Sequence, residues 1–374
     1  MEPAEAVLRF LAGVGRGSEA EFYLRRFREQ PRESFAAIVV DPETMRENAD
    51  GVALDLRLLS TLSLTPVVIL GFYGTAGAES ESRRLRKILA EMQIDNEGLS
   101  VNSPRELLVA ATSRGAVPIV RMRGKDDDSR LSELATLLDN LRTHKLIFLR
   151  NEGGLRAGGQ PLSVVNLSDE FAALVESPEL SAAHKALLRC SRRLVLELVA
   201  HELLVTLTSP LSLLHELFTV KGAGTLLRRG GRIARHAGLA GVDCEQLRTL
   251  LTSSFGKPPH PDVFTREYLN VYIEDRYRGA ALVAPTPLGA YLSKFAVPRE
   301  AQGEGVGRDL WQAMTSDHRV LLWRARPNNP IRSWYEKQCD GRVRVNGWIV
   351  YWIGLAPERI PDAVAFARAQ PVDF

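Results

Sequence analysis

Short apolar runs separated by amphipathic stretches dominate the first part of the chain. Phe35-Ala-Ala-Ile-Val-Val40, Pro66-Val-Val-Ile-Leu70, Ala116-Val-Pro-Ile-Val120 and Lys145-Leu-Ile-Phe-Leu149 are apolar at consecutive positions rather than alternate ones. Runs that short and that continuous suit strands buried on both faces of a parallel sheet. Between the first two, Val52 to Leu62 carries apolar residues at helical spacing. The alternation predicts an α/β sandwich. Ahead of it, Val7, Leu8, Phe10, Leu11 and Val14, then Phe22, Tyr23, Leu24 and Phe27, predict two amphipathic helices joined through Gly13, Gly15 and Gly17. Arg25, Arg26 and Arg28 give the second a solvated basic face.

The pattern breaks at residues 230–243, GGRIARHAGLAGVD, which are rich in glycine and small residues and read as a linker. This divides the chain into an extension (1–30), an α/β domain (31–238) and a second domain (239–374). Asp243 is placed to cap a helix over Glu245 to Ser253, and Phe255 to Pro261 reads as a rigid loop. A strand from Tyr291 to Val297 then leads through Gln302-Gly303-Glu304-Gly305-Val306-Gly307 into Val306, Leu310 and Met314 at helical spacing. In Val320 to Arg326, period-two alternation puts Arg324 and Arg326 on one face. Asn346-Gly347, between Arg342–Val345 and Trp348–Trp352, signals a hairpin. After Leu355 the pattern is helix-like and suggests no chemistry.

At 374 residues the chain has room for two cores, and its net charge of +3 is too small to imply a nucleic-acid partner. Cys190, Cys244 and Cys339 lie far apart, so reduced thiols and a cytoplasmic protein are expected. The seven histidines lack metal-ligand spacing, so no metal is expected. No apolar run reaches about 18 residues, and Glu2 and Glu5 stand where a leader would be basic. Neither export nor membrane insertion is expected.

Strand, glycine turn and helix make a phosphate cradle: glycines let the backbone turn tightly and bring N–H groups up to an anion at the positive end of a helix. Such turns also occur with no ligand. Arg324 and Arg326 on one face are costly in a core unless an anion meets them; the other reading is a face open to water. Asn329 before Pro330 is placed to cap a helix with proline at its first position.

The Gln-x-x-Gly-x-Gly word matches the acetyl-CoA signature of GNAT acyltransferases. KFAVPREAQGEG, WRARPNNP, WYEKQCDG and WIVYWIGL, in that order, resemble the acetyltransferase domain of N-acetylglutamate synthases of the vertebrate-like or bifunctional synthase-kinase type. The resemblance implies a GNAT domain behind an amino-acid-kinase-like αβα sandwich. It further implies acetyl transfer from acetyl-CoA to the α-amine of L-glutamate, the first step of arginine biosynthesis. On this reading Phe295, Ala296, Val297, Gln302, Gly303, Gly305, Gly307 and Arg308 line acetyl-CoA, and Lys294, Arg324 and Arg326 hold the dicarboxylate. Asn329 joins the catalytic residues, near the acceptor or the CoA sulfur, and Tyr335 is the general acid: a phenol, with reference pKa about 10, gives its proton to a departing thiolate, reference about 8.5.

AEAVLRFLAGVG and EAEFYLRRF resemble the helical extension of arginine-regulated acetylglutamate kinases and synthases, which implies a homo-oligomer, in the family a tetramer. ELFTVKGAGTLLRRG resembles their arginine-binding segment, making Glu216, Gly222 and Gly224 candidate contacts for an L-arginine effector, although Gly-x-Gly after a helix is also an ordinary C-cap. Where a working kinase carries Lys-x-Gly-Gly and His-Gly-Gly words, this chain has Val39-Val40-Asp41-Pro42-Glu43 and Leu70-Gly71-Phe72-Tyr73-Gly74. Proline removes a donor and two acids repel phosphate, so the first domain is expected to regulate and not to phosphorylate. The alternatives are a bifunctional synthase and kinase, a non-catalytic arginine-sensing partner, and a GNAT acting on protein lysines.

Overall fold

The computed structural model describes residues 17–219 and 222–373, divided into two compact units, one running to Gly230 and one from Gly231. The first predicted helix, Val7 to Val14, and Lys221 lie outside the described residues. The second predicted helix spans Gly17–Arg28.

In the first unit the strands are β1 (Ala37–Val40), β2 (Val67–Leu70), β3 (Asn96–Ser100), β4 (Val117–Arg121) and β5 (Lys145–Leu149). The chain continues through a small hairpin, β6 (Arg156–Ala157) and β7 (Gln160–Pro161), to β8 (Val164–Asn166), β9 (Leu204–Thr208) and β10 (Thr225–Arg228). Eight of them form one sheet in the order β3-β4-β2-β1-β5-β9-β10-β8, parallel except where β10 meets β9. The continuous apolar runs follow from burial on both sides: Ile38, Val40, Val68 and Leu70 face one core, Ala37, Val39, Val67 and Ile69 the other.

Asp55, on the helix Ala49–Thr61, is only 2% exposed and accepts a hydrogen bond from the Leu211 amide at 3.2 Å. Burial pushes its carboxyl up to about 7, against that amide's opposing pull. The folded chain therefore keeps a proton that the unfolded chain loses near the ordinary value of about 4, so stability falls as pH rises through that window. Asp55→Asn should remove the decline. Its urea midpoint should hold between about pH 5 and about pH 8 and exceed the wild type's at the higher pH by up to about 4 kcal/mol of stability. Parallel pH dependence of the two proteins would count against this account.

The second unit holds β11 (Ile233–His236), β12 (Asn270–Glu274), β13 (Ala280–Thr286), β14 (Gly289–Ala296), β15 (Leu321–Ala325), β16 (Gly341–Val345) and β17 (Trp348–Ile353). Their order is β11-β12-β13-β14-β15-β17-β16, with β14 and β15 the one parallel pair. The 230–243 segment is not only a linker, because β11 lies inside it and pairs antiparallel with β12 from Ile233↔Glu274 to His236↔Val271. That pairing draws 231–238 into the second unit and moves the division from 238/239 to 230/231. Asp243 caps the helix Cys244–Phe255 by accepting from the Glu245 and Gln246 amides. Asn346 and Gly347, with φ of 45° and 77°, make the two-residue turn between β16 and β17. Among the described residues no helix is long and apolar enough to cross a membrane.

Candidate active site

The second sheet opens in its middle. β14 and β15 pair from Ala290↔Leu321 to Leu292↔Trp323 and no further, although β14 continues to Ala296. The ladder between the two strands ends at Leu292, and the strands part over 293–296. Ser293 is an extra residue in the β13–β14 ladder: Val283 faces Leu292 while Leu282 faces Lys294. This bulge turns Lys294 to the face that carries Leu282, Tyr291 and Leu322, and Phe295 to the face of Leu292 and Trp323.

On the Phe295 face lies the glycine turn. Gly303 and Gly305 have φ of 83° and 82°, and Gly305 caps the helix Val306–Asp317. Gly307 is already helical, and a Cβ there would meet Val297 and Phe295 at ordinary contact distances of 3.6 and 3.7 Å. Two of the three glycines are thus required by the backbone. The Gln302 side-chain amide donates to the Val297 carbonyl at 3.2 Å, tying the strand end to the turn. Glu304 would oppose an anion in such a cradle, but its carboxylate accepts from Arg278 at 3.1 Å, and Arg278 also bonds the buried Glu274 at 2.7 Å. Arg308 is exposed on the first turn of the helix, and Ala296 is buried in the core on the opposite face of the sheet.

Tyr335, on the helix Arg332–Gln338, is 5% exposed. Its ring lies 5.7 Å from Trp323, 5.6 Å from Trp334 and 6.4 Å from Phe295. Burial raises its phenol above the ordinary value, so it stays protonated. The Asn329 side-chain oxygen accepts from the Ile331 amide at 3.0 Å. It caps the turn leading into the helix, which begins at Arg332, two residues later than Pro330 suggested.

The opposite face gathers the cations. Arg324 and Arg326 share a side of the strand, as the alternation predicts, and both guanidinium groups lie over the Trp348 ring, at 4.0 and 3.7 Å. Arg326 is exposed; Arg324 is not. The Arg324 guanidinium donates to the carbonyls of Ala367 (2.8 Å), Arg368 (3.2 Å), Gln370 (2.8 Å) and Pro371 (2.7 Å). Lys294, 8% exposed, donates to the Asp373 carboxylate and to the Ser293 hydroxyl and carbonyl. Arg266 grips the same carboxylate from the other side at 2.7 and 3.0 Å. Burial lowers Lys294, and Asp373 partly offsets this. Burial would raise Asp373, but its bonds to Arg266 and Lys294 prevail and hold it below the ordinary carboxylate range. Arg266, Trp348 and Asp373 escaped the sequence reading, and the tail after Leu355 is not without chemistry. An aspartate two residues after a proline carries no local signal of the lysine 79 positions earlier.

In the first unit, Glu216, on the helix Leu213–Phe218, reaches over to the loop that holds Gly222 and Gly224. The Glu216 carboxylate accepts from the Ala223 and Gly224 amides at 2.7 and 2.8 Å. One of its oxygens therefore holds the turn together. Gly224 is required sterically, since a Cβ would run into the Leu207 carbonyl. After β1, Asp41 accepts from the Glu43 amide at 2.8 Å with Pro42 opening a helix, and it lies 3.9 Å from the buried Arg150. After β2, Phe72 and Tyr73 pack on Phe148, with ring centroids 5.6 and 6.4 Å away. An acid, a proline and two aromatic rings stand where a phosphate cradle needs bare amides.

A family model described as NAT, N-acetyltransferase, of N-acetylglutamate synthase, matches residues 234–368. The mitochondrial N-acetylglutamate synthase of Danio rerio is 30% identical over 99% of this chain and 80% of its own. That of Homo sapiens is 29% identical over 95% and 76%. An acetylglutamate kinase of Xanthomonas campestris pv. campestris is 29% identical over 94% of this chain and 98% of its own. Among solved structures, an N-acetylglutamate synthase from Neisseria gonorrhoeae, complexed with coenzyme A and N-acetyl-glutamate, has the same fold. Its TM-score is 0.53 at 14% identity, covering 90% of this chain and 98% of that one.

Proposed function

Because the chain belongs to the N-acetylglutamate synthase family, we propose that the gap between β14 and β15 is where its acetyl transfer takes place. The chain is an acyltransferase that moves the acetyl group of acetyl-CoA to the α-amine of L-glutamate. One observation carries the site assignment: the sheet opens with a glycine cradle and a buried phenol on one face and a cluster of cations on the other. A pyrophosphate on the 302–307 turn lets the pantetheine arm reach along the 293–296 edge, while a dicarboxylate held by Lys294, Arg324 and Arg326 approaches from the far side.

The neutral α-amine attacks the thioester carbonyl; a C–N bond forms, and a backbone N–H of the β14 edge beyond Leu292 holds the oxyanion. The C–S bond then breaks as Tyr335 gives its proton to the leaving thiolate, and the former amine nitrogen loses one proton to water, from which the phenol is reprotonated. Burial raises the phenol, but a thiolate released beside it is desolvated too, so the pair stays close enough for transfer. The first unit regulates, with L-arginine as effector at the loop of Glu216, Gly222 and Gly224, and a homo-tetramer is the assembly the family reading carries with it.

Thiol release from acetyl-CoA with L-glutamate, with and without L-arginine, tests this. Glutamate-dependent release supports the reading; acetyl-CoA binding without such release removes glutamate as acceptor. The acid, proline and aromatic side chains after β1 and β2 further predict no ADP formation from ATP and N-acetylglutamate in a coupled assay. Turnover there would make the chain bifunctional.

A further inference from the structure

Two of the three cations assigned to the acceptor are engaged by one seven-residue segment, 367–373. The two terminal nitrogens of Arg324 are spent on four main-chain carbonyls of 367–371. Lys294 is spent on Asp373, together with Arg266. A substrate carboxylate reaching for either cation meets this segment first.

Ala367 is core, at the end of the helix Ile360–Ala369, but the way the last four residues, 370–373, are held distinguishes them from it. Val372 is 59% exposed and Pro371 is exposed as well, while Asp373 is buried among the cations. Apart from those side chains, the Asp373 carbonyl accepts from the His260 amide at 3.0 Å. The attachment is polar, with little apolar surface to keep it in place. Removing Asp373 outright would leave the buried Lys294 beside the half-buried Arg266 without a counter-charge, which is strongly unfavourable. Exchanging it for another carboxylate costs far less.

We propose that Arg266 and Lys294 form a carboxylate subsite of the acceptor site, that Asp373 fills it from within the chain, and that an entering dicarboxylate displaces the 370–373 segment. The proposal rests on the acceptor reading given above. A tethered carboxylate acts at an effective concentration in the millimolar range, enough to compete with a free amino acid. A dicarboxylate regains what the segment gives up, whereas a monocarboxylate of the same length has nothing to put on the second group of cations. The segment is therefore both an internal competitor and a filter for charge.

The test uses the full chain. Asp373→Asn keeps the shape and removes the charge. Its KM for glutamate should fall about fivefold to tenfold, as expected when a competing closed state is removed, with KM for acetyl-CoA within about twofold. An unchanged or raised KM for glutamate overturns the proposal, since Asp373 would then serve to hold the cations in place. Independently of catalysis, amide hydrogen exchange over 366–374 in the wild type should speed up at saturating L-glutamate and not with L-glutamine. Exchange indifferent to glutamate also overturns it. If exchange responds to glutamate but no thiol is released, the subsite stands and the acceptor assignment fails.

Discussion

Tyr335→Phe is expected to lower kcat for thiol release by at least about 10²-fold, the usual range for loss of a general acid. The substitution removes one oxygen and nothing else. The ring keeps its contacts with Trp323, Trp334, Phe295 and Tyr351, so packing is conserved and the unfolding midpoint should barely move. KM for both substrates should stay within about threefold, because a general acid acts on the leaving sulfur rather than on binding. A variant that keeps wild-type kcat would return Tyr335 to the status of a core aromatic and leave the thiolate to be protonated by water.

Arg326→Ala should act on the other parameter. A charge-assisted bond to a carboxylate is worth about 1.5–3 kcal/mol, so KM for glutamate should rise about 10- to 100-fold with a smaller change in kcat. Arg326 is the informative cation because it is exposed and stacked on Trp348. Replacing Arg324 would strip the donor from four carbonyls, and replacing Lys294 would orphan Asp373, so either would mix binding with stability. The variant should also lose preference for glutamate over glutamine. An unchanged KM would mean that Arg326 is a stacked surface residue and that the acceptor lies elsewhere.

What the sequence made legible is what it encodes locally. The glycine turn, the Asn346-Gly347 hairpin, the Asp243 cap and the doubly buried strands each depend on residues within a few positions of one another. Alternation placed Arg324 and Arg326 together because β15 is regular. The same rule carried through β14 would put Lys294 beside Leu292, and the bulge at Ser293 reverses that. β11 went unread because Ile233 to His236 is half-exposed and poor in apolar residues, so only its ladder with β12 marks it as strand. The joining of Arg266, Lys294 and Asp373 spans as many as 107 positions and has no signature in any one of the words. Long-range charge pairing is set by topology, which pattern does not reveal.

The aromatic cluster around Tyr335 has a practical consequence. All five tryptophans, Trp311, Trp323, Trp334, Trp348 and Trp352, belong to the second unit, and the first has none. Intrinsic emission excited at the indole band therefore follows one half of the chain alone, while far-ultraviolet dichroism follows both. Melting curves from the two signals need coincide only if the halves unfold together. Any separation between them measures how far the first unit stands or falls by itself.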